Sequence, residues 1–133
     1  MVILVVEDDV LIGLALQVVL YLGGHRVVGP AVYVDEALRL ADAEPPELAF
    51  VDINIGGNGD GIAVARALTE RHGTSCIFLT AQLAQARRAK DAAVGVIAKP
   101  YDPPELLRAV KVVAALRKGT PPPTVPRYLE LFG

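Results

Sequence analysis

The hydrophobic pattern of the chain is built on short apolar runs that show no polar alternation. Four of them have the length of a β-strand: Val2–Val6, Leu48–Val51, Cys76–Leu79 and Val94–Ala98. A weaker fifth run, His25–Gly29, follows the break at Gly23 and Gly24. Valine and isoleucine are frequent in these runs, and continuous apolar runs are typical of strands buried on both faces of a parallel sheet. We therefore expect five parallel strands covered by helices.

Segments with helical spacing separate these runs. Apolar residues three or four positions apart share one face of a helix, and we expect that face to meet the core. The predicted core faces are Leu11, Leu14, Val18 and Leu22 in a first helix, Ile62, Ala65 and Leu68 in a third, and Leu106, Val110, Val113 and Leu116 in a last one. Val34–Ala43 forms a second helix, which ends before Pro45 and Pro46, and Gln82–Ala92 forms a fourth.

Strand and helix alternate five times along the chain, which predicts an α/β fold. Right-handed crossovers then give a doubly wound five-stranded parallel sheet with helices on both faces. Five strands favour the flavodoxin-like order 2-1-3-4-5 over the six-stranded order of dinucleotide-binding folds. We expect this domain to occupy residues 1–118.

The residues after Lys118 predict a different kind of segment. The sequence GTPPPTVP is typical of an extended proline-rich linker. Residues 119–133 therefore hold this linker and a short tail, and they are too few for an output domain. The tail contains an apolar cluster formed by Tyr128, Leu129, Leu131 and Phe132. This cluster is either a frayed end or a segment that docks on its own subunit or on a neighbour.

Composition narrows the class of protein. Apolar residues make up 53% of the 133 residues, which supplies a substantial core, and a net charge of −2 without a basic run argues against direct binding of nucleic acid. The first nine residues lack the basic start of a signal peptide, and Val10–Leu22 is too short for membrane insertion. The one cysteine, Cys76, lies in an apolar run, which predicts a buried and inert thiol. We expect a soluble, cytoplasmic protein.

Polar side chains stand at the predicted carboxyl ends of four strands. They are Glu7, Asp8 and Asp9 after the first strand, Asp52 after the third, Thr80 after the fourth and Lys99 after the fifth. In an open parallel sheet, ligands bind beyond these ends, where the strand order reverses. In the order 2-1-3-4-5 that point lies between the first and third strands, so we expect Asp8 and Asp52 to converge. Asp9 is typical of the N-cap of the first helix.

These residue types suit one kind of chemistry. Clustered carboxylates repel one another, and a hard divalent ion such as Mg²⁺ relieves that repulsion. A carboxylate can also attack phosphorus and form an aspartyl phosphate. Phosphoryl transfer needs mainly positioning and charge neutralisation, which Mg²⁺ and the ammonium of Lys99 would supply. The pattern therefore predicts magnesium-dependent phosphoryl transfer to a carboxylate of this cluster, with Thr80 as a hydrogen-bond donor to the phosphoryl group.

The same motifs identify a family. Over about residues 2–117 the chain resembles the receiver domains of two-component response regulators, through VVEDD at the first strand, FVDIN at the third, FLTA at the fourth and AKPY at the fifth. The resemblance implies that Glu7 and Asp8 hold Mg²⁺. It also implies that Asp52 is both the phosphoacceptor and a metal ligand, and that Asn54 binds the ion through its backbone carbonyl.

The resemblance assigns the remaining site residues in the same way. Thr80 is similar to the family's switch hydroxyl, and the backbone N–H of Ala81 is expected to face the phosphoryl group. Lys99 corresponds to the family's lysine, and its bond to Pro100 is expected to be cis. The family often has an aromatic residue at the position of Val96. Only 19 positions separate Thr80 from Lys99, about three fewer than is usual, which predicts a shortened fourth helix.

The function that the resemblance implies is a signalling switch. Asp52 would accept a phosphoryl group from the phosphohistidine of a sensor histidine kinase or a phosphotransfer protein. The chain would catalyse only its own phosphorylation and dephosphorylation, and it would pass the signal to an unknown downstream protein through a changed partner-binding face. A homodimer is a further partner to consider.

Two alternatives compete with this interpretation. A haloacid-dehalogenase-like phosphatase also uses an aspartate nucleophile, but it needs a second aspartate where this chain has Asn54. A pseudo-receiver would act as an interaction module without phosphorylation. Its signature is the loss of an acid, the threonine or the lysine, and none of these is lost here.

Overall fold

The secondary structure alternates as the sequence predicts and then adds one strand. In residues 1–57 and 59–133, which the computed structural model describes, the strands are β1 (Val2–Val6), β2 (Arg26–Ala31), β3 (Leu48–Asp52), β4 (Ser75–Thr80), β5 (Gly95–Ala98) and β6 (Leu129–Leu131). The helices are α1 (Val10–Leu22), α2 (Val34–Ala43), α3 (Asp60–His72), α4 (Leu83–Arg88) and α5 (Leu106–Lys118). None of these helices combines the length and the apolar character that crossing a membrane requires.

The strands form one sheet in the order β2-β1-β3-β4-β5-β6. The first five are parallel, which confirms the predicted order 2-1-3-4-5. β6 pairs antiparallel with β5, where Ile97 lies opposite Leu129. The apolar tail therefore docks on its own subunit, and the alternative of a frayed end is wrong.

Alternation along the strands builds two cores, one on each face of the sheet. In β1, Ile3 and Val5 point to one face, while Leu4 and Val6 point to the other. The core on the first face includes side chains of α1 and α5, and the core on the second face includes side chains of α2, α3 and α4. Cys76 is buried in the second core, and this burial raises the pKa of its thiol to about 12. The prediction of a buried cysteine is thus confirmed.

The predicted core face of the first helix is wrong. α1 buries Gly13, Leu16 and Leu20 against the sheet. The residues that periodicity assigned to the core are exposed, in full or in large part: Leu11, Leu14, Val18 and Leu22. Because α1 is apolar all round, helical spacing fits more than one of its faces.

The other helices follow the prediction more closely. In α3, Ala65 and Leu68 are buried and Ile62 packs against the same core. The predicted face of α5 is buried except for Leu116, which lies in the last two turns and is exposed. α4 has only six residues instead of the eleven of Gln82–Ala92, because the chain leaves the helical conformation at Ala89. The shortened fourth helix is therefore confirmed.

β6 is attached at several points. The backbone N–H of Phe132 donates to the carbonyl of Val94 at 2.9 Å, and the hydroxyl of Tyr128 donates to the carbonyl of Glu105. Arg87 of α4 forms a two-pronged ion pair with Glu130, with N–O distances of 2.7 and 2.9 Å. A β-carbon at Gly95 would lie 2.7 Å from the carbonyl oxygen of Glu130, so this close approach requires glycine.

Candidate functional site

Three acidic side chains meet at the carboxyl ends of β1 and β3. Val6 lies opposite Val51 in the parallel register, so Glu7 and Asp52 stand at the next level of the two strands. Glu7 is fully buried, Asp52 is nearly so, and Asp8 is exposed. One carboxylate oxygen from each of the three residues lies within 4.8 Å of the others. The predicted convergence of Asp8 and Asp52 is therefore present in the structure.

Backbone groups hold these carboxylates in place. The N–H of Asn54 donates to Oδ1 of Asp52 at 3.0 Å, and the N–H of Gly56 donates to Oδ2 of Asp8 at 3.3 Å. Asp9 stands apart from the cluster, since its side chain accepts from the N–H groups of Leu11 and Ile12. It is the N-cap of α1, as the sequence predicts.

Lys99 connects two of the acids. Its Nζ lies 3.2 Å from Oε1 of Glu7 and 3.3 Å from Oδ2 of Asp52. The backbone N–H of Lys99 donates to the carbonyl of Thr80 at 2.8 Å, and its bond to Pro100 is cis, as expected. Burial lowers the pKa of the Lys99 ammonium, but the charges of Glu7 and Asp52 outweigh this effect and raise the pKa above its ordinary value. Lys99 is therefore a permanent cation beside Asp52 at neutral pH.

The charges of the site favour an added cation. Burial and, after it, a hydrogen bond with Asp52 raise the pKa of Glu7, Lys99 only partly opposes them, and the resulting pKa is about 7. One ammonium thus faces three carboxylates that lie close together. A hard divalent ion with oxygen ligands would relieve this repulsion, so the donor set fits Mg²⁺.

The carbonyl of Asn54 is available as a further donor. Its oxygen accepts a hydrogen bond from the N–H of Gly57 at 2.7 Å, within a 3-10 turn at Ile55–Gly57. A carbonyl oxygen has two lone pairs, so this bond leaves one for a ligand. The predicted role of Asn54 is therefore compatible with its position after β3.

Thr80 and Ala81 stand at the end of β4, next to β3 in the sheet. Thr80 is buried, and its Oγ1 accepts a hydrogen bond from the backbone N–H of Gln82 at 2.9 Å. Gln82 is the N-cap position of α4. The hydroxyl of Thr80 is thus linked to the start of α4 in this structure.

Two residues at the site were missed by the sequence analysis. A β-carbon at Gly61 would lie 2.1 Å from the carbonyl oxygen of Asp52, so glycine is needed where α3 approaches β3. Tyr101 follows the cis proline, and its buried hydroxyl has no hydrogen-bond partner within residues 1–57 and 59–133. The glycine cluster after Asp52 and the AKPY motif were the signals for these two positions.

Comparisons with known proteins agree with this geometry. The family model described as the response regulator receiver domain matches residues 3–111. The transcriptional regulatory protein PdtaR of Mycobacterium tuberculosis is 30% identical over 116 residues, which cover 85% of this chain and 56% of PdtaR. The positive alginate biosynthesis regulatory protein of Pseudomonas aeruginosa is 37% identical over 113 residues, which cover 82% of this chain and 45% of that protein. The chain thus spans about half the length of these relatives.

A solved structure shows the same fold. The signal receiver domain of a modulated diguanylate cyclase from Desulfovibrio desulfuricans G20 matches with a TM-score of 0.78 at 31% sequence identity, covering 88% of this chain and 95% of that one. The family match, the sheet order and the acidic cluster lead to one conclusion. The chain belongs to the response-regulator receiver domains of two-component signalling, which are signalling proteins and not a family of catalytic enzymes.

Proposed function

We propose that this chain is a phosphorylation-dependent switch and that Asp52 is its phosphoacceptor. The observation that carries the proposal is the placement of the Lys99 ammonium within 3.3 Å of Asp52, inside a cluster that also contains Glu7 and Asp8. This arrangement supplies a nucleophilic carboxylate, a fixed cation and oxygen donors for a metal at one point. The donor would be the phosphohistidine of a sensor histidine kinase or of a phosphotransfer protein.

The transfer itself requires little covalent chemistry from the protein. A carboxylate oxygen of Asp52 attacks phosphorus and forms the O–P bond, while the P–N bond of the phosphohistidine breaks and the imidazole leaves with its electron pair. Lys99 would neutralise charge on the phosphoryl oxygens, and Ala81 would donate its backbone N–H group to them. An Mg²⁺ ion held by Glu7, Asp8, Asp52 and the carbonyl of Asn54 would supply the remaining neutralisation.

The signal would leave the site through Thr80. Its hydroxyl now accepts from the N–H of Gln82, and a turn of the hydroxyl towards a phosphoryl oxygen breaks that bond. α4 then loses the anchor at its N-terminus. With only six residues, α4 has little stability of its own, so its order is easily changed. The small side chain of Val96 stands where the family often has an aromatic switch residue, so we propose a change of order in α4 instead of an aromatic rotamer change.

The downstream partner is a protein in this proposal. Relatives of this chain are named as regulatory proteins, and PdtaR is named as a transcriptional regulator. We infer that the receiver domain of residues 1–118 acts in the cytoplasm and controls a regulatory protein comparable to these relatives. Residues 119–133 then serve as a linker and a docked strand. Direct contact with nucleic acid is not part of the proposal because the chain has a net charge of −2.

Intact-mass measurement after incubation with Mg²⁺ and a small acyl phosphate tests the acceptor. The wild-type chain should gain one phosphoryl group, about 80 Da. Asp52→Asn should show no gain, whereas Asp9→Asn, which removes the acid that caps α1, should be labelled like the wild type. Equal labelling of Asp52→Asn would exclude Asp52 as the sole acceptor. Absence of labelling in the wild type, by acyl phosphate and by phosphorylated kinases alike, would favour the pseudo-receiver alternative.

A further inference from the structure

β2 contains a bulge beside the buried acid of the candidate site. β1 and β2 pair in register up to Leu4, but the register then shifts, and Val6 lies opposite Ala31. β2 therefore has one residue more than β1 at this point. Gly29 lies in the bulge with a φ of 93°, and a β-carbon there would lie 2.7 Å from the carbonyl oxygen of Val5, so the bulge requires glycine. Bulges of this kind often redirect a side chain next to a functional site.

The residue that follows Gly29 packs beside Glu7. A β-carbon at Gly13 of α1 would lie 3.0 Å from Cβ and 3.1 Å from Cγ of Pro30, and 3.8 Å from Cβ of Glu7. The ring of Pro30 thus occupies space that a side chain at position 13 would need. The backbone N–H of Glu7 donates to the carbonyl of Ala31, directly after Pro30, at 2.9 Å. Together these contacts enclose the stem of Glu7, which is fully buried.

Both carboxylate oxygens of Glu7 are also held. The Nζ of Lys99 lies 3.2 Å from Oε1, and the backbone N–H of Asp9 donates to Oε2 at 3.4 Å. Asp8, the next acid of the cluster, is exposed instead. Glu7 is therefore fixed at its backbone, at its stem and at both oxygens, whereas the side chain of Asp8 is less restricted.

We propose that Gly13, Gly29 and Pro30 are positioning residues that make the metal site selective for Mg²⁺ over Ca²⁺. The inference rests on the proposed function, because it concerns the metal of the same site. Mg²⁺ binds oxygens at about 2.0–2.1 Å in a nearly ideal octahedron, whereas Ca²⁺ binds at about 2.3–2.6 Å in flexible geometry and often takes both oxygens of one carboxylate. A fixed Glu7 cannot turn both oxygens towards one ion without losing a hydrogen bond. A Glu7 that turns freely would offer both and would suit Ca²⁺.

A purely structural role of the same residues predicts a different result. Gly13 and Pro30 also pack α1 against β2, so their replacement lowers the stability of the fold. A general loss of packing would weaken the binding of both ions alike. A loss of positioning at Glu7 changes the ratio of the two dissociation constants, because Mg²⁺ depends more on exact ligand geometry than Ca²⁺ does.

NMR titrations of the wild type and variants with MgCl₂ and, separately, with CaCl₂ test the proposal. The amide signals of Asn54 and Gly56, which bond to the acids, report binding, and the dispersion of the spectrum reports folding. Pro30→Ala removes most of the ring, and Gly13→Val displaces it. Each should raise the dissociation constant for Mg²⁺ on the order of tenfold, as is usual when a group that orients a metal ligand is lost, and that for Ca²⁺ clearly less. Gly13→Ala is the milder change if valine prevents folding.

Two control variants make matched changes away from the site. Gly23→Ala crowds the other end of α1, where a β-carbon would lie 2.5 Å from the end of the Leu107 side chain. Pro126→Ala removes another half-buried proline, just before β6. Both controls should keep the wild-type ratio of the dissociation constants for Mg²⁺ and Ca²⁺.

Three results would overturn the proposal. The first is an equal loss of affinity for both ions in Pro30→Ala and Gly13→Val, and the second is unchanged binding of both ions in these variants. The third is a wild-type chain that binds neither ion, which would also remove the metal from the proposed function. Labelling by acyl phosphate separates the two proposals: a wild type that binds Mg²⁺ and is labelled at Asp52, with an unchanged ion ratio in the variants, contradicts only the positioning of Glu7.

Discussion

Glu7 is the residue whose chemistry depends most on the fold. In sequence it is one of three consecutive acids, but its backbone N–H bonds to the carbonyl of Ala31 in β2 and its side chain is fully buried beside Asp52 and Lys99. Asp8, the next residue, remains exposed. Two neighbouring acids thus have different environments, and burial raises the pKa of Glu7 to near neutrality in the absence of a cation.

The raised pKa of Glu7 predicts a specific pH dependence of stability without metal. Its folded pKa of about 7 lies above the ordinary 4.5, so the folded chain binds more protons than the unfolded chain between these values. The stabilisation is full below pH 4.5 and is lost as the pH rises through 7. In chelating buffer, the melting temperature of the wild type should therefore fall relative to that of Glu7→Gln between pH 5 and about 8.

The wild type must be compared with Glu7→Gln because His25 changes the stability with pH in the opposite direction. Burial and the nearby N-terminal amine lower the pKa of His25, which adds stability as the pH rises. Glu70→Gln, at an exposed position of α3, should keep the wild-type profile. Addition of Mg²⁺ should reduce the wild-type slope, since the ion favours ionised Glu7. Parallel profiles for the wild type and Glu7→Gln in chelator would contradict the prediction.

The positions of the candidate site residues at one edge of the sheet could be predicted from the sequence, but their environments could not. Asp52 and Lys99 could be recognised because each directly follows an apolar run and parallel strands end at one edge. The burial of Glu7 depends on β2 and β5, which are distant in sequence. Likewise, the need for glycine at position 61 appears only when α3 lies against the carbonyl of Asp52. These features depend on packing between segments that are distant in sequence, and local sequence patterns contain no information about that packing.

At the scale of elements, β6 changes the edge of the sheet. It covers β5, which would otherwise present unpaired backbone groups as the last strand. The sequence left open whether its three residues were frayed or docked, because a short strand paired across about thirty residues leaves no local signal. The prediction for α1 was wrong for a different reason. Apolar residues lie on both its buried and its exposed face, so helical spacing alone could not identify the core face.

Leu129 should contribute most of the stability that β6 provides. Its side chain is 4% exposed and packs in the same core as α5, so Leu129→Ala should lower the free energy of unfolding by about 2 kcal/mol or more. Leu116→Ala, the same change at an exposed position of α5, should cost clearly less. Glu130→Gln should have little effect because its ion pair with Arg87 is solvent-exposed. Urea denaturation measures all three variants, and equal losses at Leu129 and Leu116 would mean that β6 is not firmly docked.

For the whole molecule, the sequence was most informative about topology. Five buried strands joined by helices allow few arrangements, and right-handed crossovers leave the order that the structure shows. That order places Asp52 and Thr80 on adjacent strands, with α4 directly after Thr80 and Arg87 of α4 paired with Glu130 of β6. A continuous set of contacts therefore joins the proposed phosphorylation site to the far edge of the sheet.

This set of contacts predicts how phosphorylation should spread through the molecule. Once the hydroxyl of Thr80 turns to a phosphoryl group, the N–H of Gln82 loses its acceptor and α4 loses stability at its start. Hydrogen exchange should then become faster in residues 82–93 and, through the pair between Arg87 and Glu130, in β6. Exchange in α2, whose main contacts are with α3, β2 and β1, should stay unchanged and serves as the internal control. Hydrogen exchange followed by mass spectrometry, with and without acyl phosphate, measures the exchange rates of these segments. Thr80→Ala should abolish the difference while Asp52 is still labelled.

If phosphorylated wild-type protein shows unchanged exchange in residues 82–93, the route through Thr80 and α4 is wrong, and the signal must leave Asp52 by another element.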